Sequence, residues 1–139
     1  MYKKTITYKD YNDEEVTEDL YFNLSKSEVM KSNFKEHGAL ENKLRRMVNE
    51  KNVQAIGELF ADLIGMSYGE KSDDGKHFIK SESIRDRFEH SAAYDALYMA
   101  LLESVDEAIA FIKGILPSEL SKELDNNSEI QALVDRAKA

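Results

Sequence analysis

From Tyr94 onward, apolar side chains return at the interval of an α-helix. Tyr94, Leu97, Tyr98, Leu101, Val105, Ala108, Ile109 and Ile112 form one continuous stripe up to Gly114, and Pro117 ends it. A stripe this long has to be covered, and a second amphipathic unit lies upstream to cover it. Val53, Ile56, Phe60, Leu63 and Ile64 share one helical face, Leu59 and Met66 broaden it, and Glu58 and Asp62 fall on the opposite side. This helix runs out at Ser67-Tyr68-Gly69. The polar stretch Glu70–Lys76 carries turn-forming residues, and Phe78 and Ile79 bring the chain back to apolar surroundings. Phe60 and Leu101 are expected in the core.

The start of the chain follows a different period. Thr5-Ile6-Thr7-Tyr8-Lys9 alternates, and Leu20, Phe22 and Leu24 alternate with Asp19, Tyr21 and Asn23, so both read as strands. The turn formers of Asp10–Glu15 join them into an antiparallel hairpin, whose Ile6/Tyr8 and Leu20/Phe22 side must lie on the helices or pair with another chain. Ser25 and Glu28 have capping-box spacing, with Leu24 and Val29 as a hydrophobic staple. The short helix that follows turns Val29, Met30 and Phe34 inward and stops near His37-Gly38. A second helix carries Leu40, Leu44, Met47 and Val48. Ser81 caps a brief helix through Ile84 and Phe88. Beyond Pro117, Ser118-Glu119-Leu120 begins a weaker amphipathic piece, Asn126-Asn127 interrupts it, and a last short helix carries Ile130, Leu133 and Val134.

These signals predict a mainly α fold: a single helical domain of about five to six helices with an N-terminal β-hairpin. Residues 1–24 form the hairpin as part of the same domain, 25–117 the helical core and 118–139 a C-terminal helical tail. A length of 139 residues suits one core.

Composition removes several function classes. No apolar run approaches the roughly 20 residues of a membrane span, and Met1-Tyr2-Lys3-Lys4 leads into no signal-peptide core, so the expected setting is a cytoplasm without membrane contact. A net charge of −8 repels phosphate backbones and argues against nucleic acid. Cysteine is absent, and His37, His77 and His90 share no metal-ligand spacing. Aligning Gly75 with the glycine of a calcium loop puts Glu70 at the first ligand position and Ser81 where a bidentate glutamate is needed, so that reading fails. No phosphate loop, nucleophile elbow or nucleophile beside a base is present. The sequence therefore predicts no enzyme, no metal and no cofactor.

Apolar surface remains. Met99 falls nearly opposite the Leu101 face and Leu102 lies at its edge, so the long helix is greasy on more than one side. One reading is a central helix buried all round. The other is a surface for partners, with Met99, Leu102, Tyr98 and Phe78 as candidate contacts, since Met and Tyr suit contacts that adapt. The hairpin's free edge is a further candidate for pairing with a second copy.

Several strings in order resemble one family. They are Lys4-Thr5-Ile6-Thr7-Tyr8 with Asp10-Tyr11-Asn12, Thr17–Lys26, Ser67-Tyr68-Gly69-Glu70-Lys71-Ser72 with Gly75-Lys76, Phe78-Ile79-Lys80-Ser81, and Phe111–Pro117. Together they resemble the tail assembly chaperones of long-tailed, non-contractile bacteriophages and prophages of Gram-positive bacteria. Where such sequences tend to show Asn-Gly in the hairpin, this chain has Asn12-Asp13. The resemblance implies a protein of the host bacterial cytoplasm that binds the tape measure protein, helps tail tube protein polymerise around it and is absent from the finished virion. Such families are also often made in a second, longer form by ribosomal frameshifting near the end of the gene. A structural tail or connector protein retained in the particle is the alternative.

Overall fold

In the computed structural model of the chain, which describes residues 1–31, 53–119 and 121–122, the two alternating segments pair as strands. β1 (Tyr2–Lys9) and β2 (Glu15–Phe22) run antiparallel, in register from Tyr2↔Phe22 to Lys9↔Glu15. The Asp10 carboxylate closes the turn between them by accepting from the backbone N–H groups of Asn12, at 2.8 Å, and Glu14, at 3.1 Å. Asp13 takes the left-handed conformation there, with φ 61.

Ser25 begins α1 (Lys26–Lys31) with the predicted reciprocal cap. Ser25 N–H donates to Glu28 Oε1 at 2.9 Å, and Glu28 N–H donates to Ser25 Oγ at 3.2 Å. Leu24 and Val29, the staple pair, are both buried. Met30 departs from expectation: it is 65% exposed, because in six residues only the side bearing Val29 turns to the core.

α2 (Val53–Ser67) buries Leu59, Phe60, Leu63 and Ile64 as its spacing required. Its last residue, Ser67, is fully buried and satisfied: its Oγ donates to the Leu63 carbonyl at 2.6 Å, and its own carbonyl accepts from Asn23 N–H at 2.8 Å. That second bond ties the end of α2 to the end of β2.

The segment after α2 corrects the sequence reading. Tyr68–Lys71 is a strand, β3, and Phe78–Ile79 another, β4, so the hairpin grows into a four-stranded antiparallel sheet of order β1-β2-β3-β4. Phe22 pairs with Tyr68 and Tyr21 with Gly69. The turn between β3 and β4 uses Gly75 at φ 73, a conformation that suits a residue without a Cβ.

The C-terminal helices bring a second correction. The apolar stripe from Tyr94 to Gly114 is two helices, α4 (Ala92–Glu103) and α5 (Val105–Ile115), preceded by the short α3 (Glu82–Glu89). Ser104 breaks the stripe. Its backbone is extended, and its hydroxyl accepts from Glu107 N–H at 3.2 Å, capping a new helix whose first turn holds Asp106 and Glu107. Ser81 and Ser91 cap α3 and α4 in the same way.

One face of the sheet meets these helices. Ile6, Leu20, Phe22, Phe60, Leu63, Leu97, Leu101, Phe111 and Ile115 share a single core, with Phe60 and Leu101 each 2% exposed. A chain of rings crosses it: Tyr2 sets its ring edgewise on Phe111 with centroids 5.6 Å apart, Phe22 touches both, and Tyr68 stacks on Phe88 at 3.8 Å. The helix predicted on Leu40, Leu44, Met47 and Val48 lies outside the described residues. So do Phe34, the stop at His37-Gly38, Leu120, and the last segment from Asn126 through Val134.

Candidate interaction surface

α4 has the composition of a helix with apolar residues on all sides, and the fold uses only part of it. Ala93, Leu97 and Leu101 are buried along one side of it. Met99 sits two residues from each leucine, about 200° around the helix, and is 42% exposed. Leu102 is partly buried and packs against the core.

Tyr98 is engaged inside the fold. Its hydroxyl occupies the place where a side chain at Gly57 of α2 would begin, so α2 and α4 approach closely there. Its ring stacks on Tyr94, with centroids 6.0 Å apart. Burial pushes the Tyr94 phenol above its ordinary range, and the nearby Glu89 carboxylate adds to the shift.

Phe78 belongs to another surface. In the register of β3 and β4 it stands opposite Lys71, on the sheet face that carries Tyr21 and Gly69, the reverse of the face that carries Phe22 and Tyr68. Its ring covers Gly69, where an added Cβ would lie 2.8 Å from the ring edge. Lys71 lies over the Tyr21 ring at 5.0 Å and Lys80 over the Phe78 ring at 5.7 Å. The four candidate contacts thus fall on two faces: Met99, Leu102 and Tyr98 on α4, and Phe78 across the sheet.

Among the described residues Met30 on α1 and Ile79, 50% exposed, on the edge strand β4, are exposed where the sequence placed them in apolar surroundings. Val105, just past the break between α4 and α5, is also exposed. Period alone could not have separated Ile79 from Phe78 in a strand of two residues. An open groove of about 610 Å³ runs between the end of α2, at Gly65 and Met66, and α3, at Arg85 and Glu89; none of the four candidate residues lines it. A hydrogen bond from Arg85 Nε to Glu89 raises the arginine's pKa further above its ordinary value, with Asp62 adding to the shift.

Among the described residues no three histidine, aspartate or glutamate side chains gather as a metal site, and no helix is long and apolar enough to cross a membrane. His77 and His90 are both exposed, and His90 Nδ1 lies 2.7 Å from the Asp86 carbonyl at the end of α3.

No curated protein and no solved structure matches this chain. The sequence profile of one family, phage tail assembly chaperone, matches residues 1–138, and the chain belongs to that family.

Proposed function

We propose that this chaperone binds the tape measure protein in the host bacterial cytoplasm, in several copies, and promotes polymerisation of tail tube protein around it before being left out of the virion. A tape measure is a long helical chain with apolar stripes, which aggregates unless covered until the tube encloses it. The observation that carries this reading is Met99, an exposed methionine on a helix with apolar residues all round, in a chain of the tail assembly chaperone family. The net charge of −8 keeps an assembly with such surface in solution. The role is one of binding, with no catalytic step, no cofactor, no nucleic acid and no membrane.

Co-expression tests it. Tape measure protein made with this chain should stay soluble and elute with it on size exclusion, and tape measure made alone should precipitate. Equal solubility in both cases, with no complex, would overturn the reading. Mass spectrometry of purified virions tests the last part, since a stoichiometric amount of this chain in the particle would show a structural component instead.

A further inference from the structure

Among the described residues β1 is hydrogen-bonded to β2 on one side only and forms an edge of the sheet along eight residues. Its Thr5-Ile6-Thr7-Tyr8 run is uncharged and rich in β-branched and aromatic residues, a composition that readily accepts another strand. Tyr2, Lys4, Ile6 and Tyr8 face the helices, and Lys3, Thr5, Thr7 and Lys9 face away.

Lys4 breaks the apolar row. It stands opposite Leu20, which is 3% exposed, at a position where an apolar residue would be expected. Its Nζ donates to Glu107 Oε2 of α5 at 2.7 Å, and its side chain keeps 23% of its surface in water. A strand laid along β1 would continue the apolar row past Lys4 and remove that water, leaving an ammonium with a single carboxylate and too few acceptors. Inward-pointing charge is one of the means by which edge strands are kept from pairing.

We propose that Lys4, held inward by Glu107, guards this sheet edge and bars a further strand, the β1 of a second copy included, from joining there. The guard is independent of which partner the chaperone holds, and it confines self-association to other surfaces.

Sedimentation of the full chain across a concentration series tests it, with Lys4→Val compared with Lys3→Val, which removes an outward charge from the same strand. Lys4→Val should shift to larger species as concentration rises, with slowed amide exchange along β1, while Lys3→Val follows the parent chain. Lys4→Met retains the length of the stem and should associate likewise, so a loosened core in the valine variant does not decide the outcome. The proposal is overturned if neither Lys4 variant associates beyond the parent, if Lys3→Val associates as much, or if association leaves β1 exchange unchanged.

Discussion

Lys80 and Glu28 lie 52 residues apart in sequence, and the lysine Nζ donates to the glutamate Oε2 at 2.6 Å. The same ammonium donates to the Asn23 carbonyl at 2.6 Å, so the residue after β4 fastens the start of α1 to the sheet. Burial tends to raise the Glu28 pKa, but the Lys80 hydrogen bond and those from Ser25 outweigh it and hold the carboxyl below its ordinary range. A carboxyl with a depressed folded pKa contributes stability that is present above its unfolded pKa, near 4.3, and is lost as pH falls through the folded value. Glu28→Gln should therefore lower the unfolding midpoint at neutral pH and converge with the parent under acid. Denaturation from pH 7 down to pH 3 checks this, and a constant gap across the range would contradict it.

Core truncation should be costly. Phe60→Ala should lose about 3 to 5 kcal/mol and Leu101→Ala about 2 to 5 kcal/mol, because each leaves a cavity its neighbours fill only in part. Urea unfolding measures both, and unchanged midpoints would place these residues outside the core.

Asp13 offers a gain. It holds φ 61 without a glycine's freedom, so Asp13→Gly should stabilise the hairpin by about 0.5 to 1 kcal/mol as the left-handed strain is relieved. A lower melting temperature for the glycine variant would show that strain at this position is negligible.

Gly57 and Tyr98 should couple. Gly57→Ala gains helix propensity of about 1 kcal/mol but displaces the Tyr98 hydroxyl, for a net loss. Tyr98→Phe removes the obstructing atom, so the double variant should recover most of that loss, a non-additivity that a double-mutant cycle reads directly. Strict additivity would mean that the two helices separate freely.

Met99→Glu tests the binding surface without touching the core. The variant should melt like the parent yet lose the tape measure complex, and parent affinity should change little between low and high salt if apolar burial carries the contact. Retained binding by a folded Met99→Glu would exclude this side of α4.

Local chemistry made the hairpin and the start of α1 legible, since Asp10, Ser25 and Glu28 act within five residues of themselves. The second half of the sheet could not be read. Tyr68-Gly69-Glu70-Lys71 shows no sustained alternation and becomes a strand by pairing with Tyr21 and Phe22, almost 50 residues away. The break at Ser104 was hidden for another reason: Leu101, Val105, Ala108 and Ile112 keep helical phase across it, so periodicity alone predicts one helix, while the local sign was a serine three residues before Glu107. Of the candidate surface, the position of Met99 was legible because it follows from angle alone. That Tyr98 is spent on Gly57 and that Phe78 lies across the sheet follow only from tertiary packing.

The contact of Tyr2 with Phe111 also sets a timetable for synthesis. β1 leaves the ribosome well before α5, yet the ring that covers Tyr2 and the carboxylate that pairs with Lys4 belong to α5, more than a hundred residues later. Closing so long a loop comes late and makes folding slower than in a bundle of neighbouring helices. β1, with Thr5 and Thr7 exposed even in the finished fold, thus waits for most of the chain before its cover arrives, and nascent chains on one message stay adhesive until residue 111 emerges.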